Sequence, residues 1–314
     1  MVSPAGEARV PPDTAAASRP SAFLLALGLA SVLAIWSSNY IARKITLAHL
    51  SALSVVAFRF QISAAVLLAI YFAQRNRTPL RRRDIWTFMY VGFFGYAVNQ
   101  GCFVLGLGHT TSEHSVVIIA TGPIVILLLA SALGLEKLTA AKSIGMAISF
   151  LGVLLLETEQ GSPMHSPLLL GDVITLCGTI GFALYTVLGK RVAAAYDTIS
   201  MNAFNSVVAA VLFLPVAVHQ GVRLDWKHVG WAGWAGLAFM AVMSGVVGFL
   251  LFYWLLRHME ASRVVAINYF QPIVVFLLSI PILGERPTLR LLASAALVLL
   301  GVYLAEHVAR QAER

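Results

Sequence analysis

The chain contains an internal repeat. Residues 109–157 align without a gap to residues 258–306, with sixteen identities among 49 positions, and most other pairs exchange one apolar residue for another. Two similar halves in one apolar chain are typical of secondary transporters, because alternating access is most simply built from two units that face opposite ways. The repeat therefore predicts a membrane carrier that arose by duplication.

Composition indicates that lipid is the main solvent of this chain. Of its 314 residues, 59% are hydrophobic and 11% are charged, whereas about a quarter of the residues in soluble domains are charged. A helix of about 20 residues crosses the apolar core of a bilayer and satisfies its backbone polar groups internally. Ten stretches meet this requirement, so we predict an all-α integral membrane protein. The predicted spans are 22–42, 51–73, 85–107, 114–135, 141–157, 168–189, 199–219, 230–254, 262–283 and 289–306.

The spans and the repeat together divide the chain into five parts. The predicted parts are a disordered cytoplasmic tail (1–21), a first five-helix repeat (22–157), a linker (158–167), a second five-helix repeat (168–306) and a cytoplasmic tail (307–314). We interpret the first apolar run as a helix and not as a cleaved signal peptide. Nine further spans follow it, and no compact basic segment precedes it.

The basic residues predict the orientation. With a cytoplasmic N-terminus, the cytoplasmic segments hold fifteen of the 22 lysines and arginines, among them Arg81, Arg82 and Arg83. The positive-inside rule therefore places both termini in the cytoplasm. The predicted location is the inner (plasma) membrane. Because each repeat has an odd number of spans, the second must be inverted. We therefore predict ten transmembrane helices in two inverted five-helix repeats around a central cavity. The basic residues are spread over loops, which argues against nucleic-acid binding.

Two prolines occupy equivalent positions in the repeat. Pro123 and Pro272 are offset by 149 residues and lie near the middle of spans 4 and 9. A proline removes one helix hydrogen bond and clashes with the carbonyl four residues earlier. Paired helix breaks of this kind are the best sequence indication of a transporter's binding site. The alternative is that both prolines only kink their helices for packing.

Polar side chains inside the spans predict a shared wet interior. Buried asparagine and glutamine often hydrogen-bond between helices, so a structural role stays open for each of them. Their number across several helices favours a cavity, and nearby aromatic residues suit its walls. The predicted substrate-binding residues are Trp36, Asn39, Arg59, Tyr96, Asn99, Tyr185, Asn205, Asn268 and Gln271.

Arg59 is the one charged residue that lies well inside a predicted span. It could snorkel to the membrane surface, form a structural pair with Glu113 or Glu157, or bind the anionic group of a substrate. No acidic residue lies deep in a span. Because proton-driven carriers usually keep a titratable group in the membrane, this favours facilitated export.

Other residue patterns indicate scaffold roles. Gly152 and Gly301 suit close contact between spans 5 and 10, since small residues let helix backbones approach. His109, Glu113 and His114 have no evident fourth partner, so we predict neither a metal nor a cofactor. The chain also contains no His-Glu-x-x-His and no Gly-x-Ser-x-Gly sequence. We therefore predict that the protein is not an enzyme.

Three short patterns resemble a known family. They are Trp36-Ser37-Ser38-Asn39 near the end of helix 1, Ala57-Phe58-Arg59-Phe60 in helix 2, and the proline followed by a glutamate in each half. Together they resemble the drug/metabolite transporter superfamily, EamA type. The resemblance implies a basket of helices whose central cavity is formed by helices 1 to 4 and 6 to 9, with helices 5 and 10 peripheral.

Within this superfamily the chain is most similar to the bacterial amino-acid and metabolite exporters of broad specificity. The implied partners are the lipid bilayer and a small-molecule substrate, and the implied assembly is a monomer or a homodimer. A drug efflux carrier remains an alternative on the same scaffold. A nucleotide-sugar-type exchanger is a second alternative, although it would need several cations in the cavity. A passive channel is the third, since it too needs a polar lumen.

Overall fold

The computed structural model describes residues 20–75, 77–132, 139–157, 168–193, 195–259, 264, 270–284, 286 and 288–304. Every regular element in these ranges is helical, and the described helices match the ten predicted spans. The predicted all-α membrane fold is therefore confirmed. The helices are α1 (Ala22–Leu47), α2 (Ala52–Ala73), α3 (Arg82–Leu107), α4 (Ser112–Ala120 and Gly122–Ala132), α5 (Ala140–Glu157), α6 (Leu169–Ala193), α7 (Thr198–Arg223), α8 (230–258), α9 (Gln271–Leu283) and α10 (Leu289–Tyr303).

Helix length agrees with a membrane location. Seven of the described helices are long and apolar enough to cross a bilayer on their own, namely α1 to α4 and α6 to α8. The apolar described parts of α5, α9 and α10 are shorter, at 10 to 17 residues. These three helices pack against other helices of the bundle, α5 against α10 and α9 against α1.

Serine, threonine and aspartate side chains cap the N-terminal ends of several helices. Ser51 Oγ accepts a hydrogen bond from the Ser54 amide at the start of α2, and Thr288 Oγ1 accepts one from the Leu291 amide at the start of α10. Asp197 does the same for two amides at the start of α7. Such caps satisfy backbone donors that have no partner within the helix. They fix the points where the chain turns back into the bundle.

Helix packing follows the two-repeat plan. Helix α3 packs against α6, and their counterparts in the other half, α8 and α1, also pack against each other. Likewise α4 packs against α6, and α9 against α1. Helices α2 and α7 are counterparts in the two halves and pack against each other, and the same holds for α5 and α10. This is the arrangement expected of two inverted repeats related by a pseudo-two-fold axis.

The predicted close contact between α5 and α10, at Gly152 and Gly301, is confirmed. A Cβ on Gly152 would lie 2.9 Å from the Ser294 carbonyl oxygen of α10, and a Cβ on Gly301 would lie 2.5 Å from the Gly145 carbonyl oxygen of α5. In addition, Ser294 Oγ donates a hydrogen bond to the Gly152 carbonyl at 2.7 Å. Helices α5 and α10 therefore cross with their backbones in contact.

Two long helices contain matching π-helical segments. These segments are Phe93–Val98 in α3 and Phe239–Gly248 in α8. The two segments occupy equivalent places, because α8 is the counterpart of α3 in the second repeat. The sequence patterns gave no indication of them. A π-helical turn shifts the register of the side chains that follow it, and such turns are frequent at functional sites.

Helix α1 is longer than predicted. The charged residues Arg43 and Lys44 suggested that the helix ends at residue 42, but it continues to Leu47. Arg43 is fully buried, with its guanidinium 3.4 Å from the centre of the Phe103 ring. The expectation that Arg59 is the one charged side chain well inside a helix was therefore wrong. Burial against an aromatic ring allows a second arginine within the bundle.

A hydrogen-bonded clasp joins the two halves at the predicted inner end, where α2 ends and α7 begins. The Thr78 amide donates to Asp197 Oδ2 at 3.3 Å, and the Arg81 amide donates to the Tyr196 hydroxyl at 3.0 Å. That hydroxyl donates to Asp84 Oδ2 at 2.7 Å. The loop after α2 is thus tied to the loop between α6 and α7.

The clasp makes stability depend on pH. Burial alone would raise the pKa of Asp197, but hydrogen bonds from Ser200 and Thr78 outweigh it and hold the pKa below its usual value of 3.8. The stabilisation is therefore complete above about pH 4 and is lost as the pH falls through the lowered pKa. We expect Asp197→Asn to lower the melting temperature of the purified protein at pH 6.

The same measurement at low pH provides the control. Because asparagine does not titrate, the difference in melting temperature between wild type and Asp197→Asn should shrink as the pH falls from 6 to 3. A difference that stays constant over this range would show that the charge of Asp197 does not stabilise the clasp.

Candidate functional site

A cavity of about 80 Å³ lies among six helices, three from each half, namely α1, α3 and α4 with α6, α8 and α9. This volume has room for several water molecules. Amides and aromatic rings dominate its wall, and none of the described lining residues is acidic or basic. The lining residues are Trp36, Asn39, Tyr40, Asn99, Gln100, Phe103, Ile119, Gly122, Ile126, Thr179, Phe182, Ser244, Phe249 and Gln271.

Four of the residues proposed from the sequence line this cavity. Trp36 and Asn39 lie three positions apart on α1, a spacing that puts both on one helix face. Asn99 comes from α3, directly after its π-helical segment, and Gln271 is the first residue of α9. Three helices from the two halves, α1, α3 and α9, thus meet at one place.

Trp36 is held in a fixed position. Its ring lies 5.6 Å from that of Phe249 and 5.1 Å from that of Phe252. A Cβ on Gly248 would lie 2.7 Å from Trp36 Nε1, so any larger residue there would push the indole. Gly248 therefore belongs to the support of the cavity wall.

The break in α4 and the described start of α9 both lie beside the cavity. Helix α4 stops at Ala120 and resumes at Gly122, while α9 begins at Gln271 after Phe270. Thr121, which interrupts α4, and Phe270, which precedes α9, are separated by the 149-residue offset of the repeat. Thr121 donates its hydroxyl to the Ile118 carbonyl at 2.7 Å, which satisfies one carbonyl freed by the break.

The two prolines lie directly after the break in α4 and the start of α9. Pro123 is the second residue of the second segment of α4, and Pro272 is the second residue of α9. A proline is tolerated in the first turn of a helix, where its missing N–H would have no helical partner. Gly122 and Gln271, which precede them, occupy equivalent positions in the repeat, and both line the cavity.

A relay of amide side chains connects a buried cation to the cavity wall. Arg59 Nη2 donates to Gln100 Oε1 at 2.6 Å, and Gln100 Nε2 donates to Asn99 Oδ1 at 2.5 Å. Asn99 Nδ2 in turn donates to the Gly178 carbonyl at 3.0 Å.

Arg59 itself does not line the cavity and is 2% exposed, which excludes snorkelling. The alternative pair with Glu113 is not formed, because Glu113 accepts a hydrogen bond from Ser279. The Glu157 side chain lies outside the described residues.

Two predicted tyrosines stand behind the wall. Tyr96 donates its hydroxyl to Asn202 Oδ1 at 2.5 Å, and its ring lies 5.2 Å from that of Phe249. Tyr185 is buried, and its ring covers Gly95 so closely that a Cβ on this glycine would overlap it. Neither tyrosine lines the cavity. Both therefore lie behind the residues that form the cavity wall.

The remaining two predictions have different outcomes. Asn205 is fully buried on α7, and neither its carbonyl nor its amide group has a hydrogen-bond partner in the described part of the chain. It does not line the cavity. Asn268 lies outside the described residues.

Sequence reasoning missed most of the apolar lining. Tyr40 follows Asn39 directly, and Phe103 lies four residues after Asn99, so helical spacing could have found Phe103. Ser244 lies in the π-helical segment of α8, Thr179 lies on α6 beside Gly122 of α4, and Phe182 also lies on α6. Nothing in their sequence context separates them from ordinary packing residues.

A second polar cluster lies at the predicted outer end, where α4 and α6 begin. Asp172 accepts hydrogen bonds from Thr110 Oγ1 at 2.6 Å and contacts His114 Nδ1 at 3.0 Å. Glu113 accepts one from Ser279 Oγ at 2.7 Å. These side chains are buried, so the sequence-based argument against proton coupling loses its premise that the acidic groups are peripheral. Among the described residues no group of three or more potential ligands could hold a metal ion.

Comparison with known proteins identifies the family. The model of the EamA-like transporter family matches residues 22–158 and matches again at residues 169–306. This chain belongs to the EamA-like transporter family. Its two matches coincide with the two halves of the fold, and the predicted membership of the drug/metabolite transporter superfamily is confirmed.

Individual relatives agree with this assignment. An uncharacterized transporter of Archaeoglobus fulgidus is 28% identical over 88% of this chain and 96% of its own length. The uncharacterized transporter YyaM of Bacillus subtilis is 27% identical over 85% of this chain and 88% of its own length. A solved crystal structure with 19% identity has the same fold, with a TM-score of 0.64 over 94% of this chain and 100% of that chain. The protein is thus a multi-pass EamA-like membrane transporter.

Proposed function

We propose that this EamA-like transporter exports small metabolites, with amino acids of broad range as its main substrates. The carrier would work by alternating access between two inverted halves in the inner membrane, with both termini in the cytoplasm. One observation carries the proposal. The cavity lies at the break in α4 and the equivalent start of α9, between three helices of each half, and its wall combines amides with aromatic rings.

The wall chemistry suits a small molecule with polar ends and a variable body. Asn39, Asn99 and Gln271 offer amide donors and acceptors, which can bind a carboxylate or an ammonium group. Trp36 and Phe249 offer broad apolar surfaces for the side chain of an amino acid. Because apolar contacts discriminate weakly between side chains, broad specificity follows.

The breaks and the π-helical segments provide a means of movement. Helix α4 is interrupted at Thr121, α9 begins at the equivalent point of the second half, and α3 and α8 carry equivalent π-helical segments. A helix bends most readily at such places, because one backbone hydrogen bond is already missing or displaced. Rocking one half against the other would expose the cavity alternately to the two sides.

Residues in the cavity wall and residues behind it would have different roles. Trp36, Asn39, Asn99 and Gln271 would contact the substrate. Behind these residues, Arg59 would act through Gln100, and Tyr96 and Tyr185 would hold the aromatic wall in place. We retain Asn205 and Asn268 as proposed members of the site.

We expect Asn99→Ala and Gln271→Ala each to lower transport several-fold without reducing the amount of protein in the membrane. Each change removes an amide that faces the cavity, at a cost of about 1 kcal/mol or more per lost hydrogen bond. Efflux of the best substrate and the membrane content of the protein would be measured in the same cells. Gln61→Ala is the matched control, because Gln61 donates to the Ala210 carbonyl away from the cavity. Unchanged transport in both test variants would place the site elsewhere.

The function itself is best tested by a toxicity-rescue screen. Cells that overproduce the transporter would be exposed to growth-inhibiting concentrations of individual amino acids and their analogues. The proposal predicts rescue for several of them, together with faster efflux and a lower intracellular concentration. If no amino acid were exported, while a dye or a nucleotide sugar was, the amino-acid assignment would be wrong.

A further inference from the structure

Two arginines lie buried in the first half of the bundle. Arg43 of α1 is fully buried, and Arg59 of α2 is 2% exposed. A guanidinium stays protonated in proteins, so this region carries two positive charges in a medium of low dielectric.

Neither charge is neutralised by the described residues. Neither arginine forms an ion pair there, and Arg43 Nε, Arg43 Nη2 and Arg59 Nη1 have no hydrogen-bond partner. The buried carboxylates nearest the predicted outer end, Glu113 and Asp172, are bound to Ser279, Thr110 and His114. A buried cation without a counter-charge is costly, so these guanidiniums are suited to meet an anion.

Each guanidinium is one side chain away from the cavity. Arg59 donates to Gln100, which lines the cavity. Arg43 stacks on the ring of Phe103 and donates Nη1 to its carbonyl at 3.4 Å, and Phe103 also lines the cavity. Because both charges are buried and only one side chain separates each from the cavity, both raise the electrostatic potential inside it.

The amide relay presents donors to the cavity. Arg59 and Gln100 use their N–H groups on the carbonyl oxygens of Gln100 and Asn99, respectively. Each amide nitrogen carries two N–H groups, and each of the two amides uses one of them within the relay. The second N–H of Gln100 and of Asn99 can therefore bind an acceptor. An ammonium group finds no carboxylate among the described lining residues.

The buried cation Arg59 is not a requirement of the repeated scaffold. Counted from the first residue of each helix, Arg59 is the eighth residue of α2 and Asn205 is the eighth residue of its counterpart α7, and each follows an Ala-Phe pair. The second half thus has a neutral residue where the first half has a buried cation. A feature that only one half carries points to a role in the cavity and not in packing.

We propose that Arg43 and Arg59 make this cavity selective for solutes with a net negative charge, namely organic acids that carry one carboxylate more than they carry ammonium groups. Among amino acids these are the acidic ones. This inference rests on the proposed carrier function and names its preferred substrate class. Arg43 is a positioning residue in this account, since it acts across Phe103 and does not touch the substrate.

Uptake of L-glutamate, L-glutamine and L-lysine into proteoliposomes tests the proposal. The three solutes have similar size and differ in net charge. We expect kcat/KM for glutamate to exceed that for glutamine by about tenfold or more, and lysine to be slowest, because each unit of charge faces two buried cations. Equal rates for all three, or a preference for lysine, would overturn the inference and leave the carrier function standing. If neither these three solutes nor any neutral analogue were taken up, both the inference and the proposed carrier function would be wrong.

Two variants and one ionic condition complete the test. Arg43→Gln should reduce the glutamate-to-glutamine ratio severalfold through a higher KM for glutamate, whereas Arg43→Lys should keep the ratio close to that of wild type. A ratio that is the same in all three proteins would exclude Arg43. If excess chloride at constant ionic strength removed the charge preference, an inorganic anion would be the occupant and the organic-acid assignment would be wrong. Since the wild-type ratio needs no variant, the proposal stays testable even if Arg43→Gln fails to fold.

Discussion

Replacing Gln100 by leucine is expected to lower transport about ten- to a hundredfold. Gln100 is the described partner of the Arg59 side chain, with an Nη2–Oε1 distance of 2.6 Å. Losing a hydrogen bond to a buried charge costs about 1.5 to 3 kcal/mol, which corresponds to this range of rates if the loss falls on the transport step. Leucine has a similar length but can neither accept from Arg59 nor donate to Asn99. The change should therefore appear in the initial rate of efflux at equal protein content.

The matched control is Gln61→Leu. Gln61 lies on α2 close to Arg59, and its amide donates to the Ala210 carbonyl at 2.8 Å. This variant loses one neutral hydrogen bond away from the cavity, so its transport should stay within about threefold of wild type. If Gln61→Leu and Gln100→Leu reduced transport equally, the effect would reflect general packing and the relay would have no special role.

The second large effect is expected for Gly95→Ala. A Cβ on Gly95 would overlap the Tyr185 ring, and that ring is enclosed by Tyr96, Phe182 and Tyr253 at centroid distances of 6.0 to 6.4 Å. Since the ring cannot move away freely, α3 and α6 must separate. Overpacking of this kind costs about 1 to 3 kcal/mol, which corresponds to roughly 3 to 10 °C in the melting temperature. Transport should fall with it, because both helices line the cavity.

Gly101→Ala is the control for this experiment. Gly101 lies on the same helix, and a Cβ there would lie 3.6 Å from Phe213, an ordinary van der Waals contact. Alanine also favours the helical conformation by up to about 1 kcal/mol over glycine. The melting temperature of Gly101→Ala should therefore equal or exceed that of wild type. A large loss in this variant, or none in Gly95→Ala, would contradict the proposed packing of α3 on α6.

The general plan of the fold was predictable from the sequence because it depends on long-range composition and on a repeat. Spans of about 20 apolar residues have few alternatives to a helix in a membrane. The duplication and the odd number of helices per half then fix the pseudo-two-fold relation. Gly152 and Gly301 were also recognisable, since close helix contact leaves a direct mark on the sequence.

The site was only partly predictable. Asn39, Asn99 and Gln271 stand out because polar residues are rare in spans, and the cavity indeed lies beside them. Arg43 could not be recognised, because a charged pair near the end of an apolar run is typical of a loop, and its burial depends on a partner 60 residues away, Phe103. Contacts between helices decide such cases, and a single sequence does not record them.

The π-helical segments were missed for a related reason. Phe93–Val98 and Phe239–Gly248 have the same apolar character as the α-helical turns beside them. Tertiary packing of α3 on α6 and of α8 on α1 selects the wider turn.

The inverted arrangement of the two halves is tested most directly by cysteine labelling from each side of the membrane. His109 and His258 are equivalent in the repeat, are exposed, and lie at the ends of α3 and α8. Single-cysteine variants at these positions, with Cys102 and Cys177 replaced by alanine, would be treated with an impermeant maleimide in right-side-out and inside-out vesicles. We predict labelling of His109→Cys from the periplasmic side alone and of His258→Cys from the cytoplasmic side alone. Labelling of both from the same side would contradict the inverted repeat and, with it, the proposed transport mechanism.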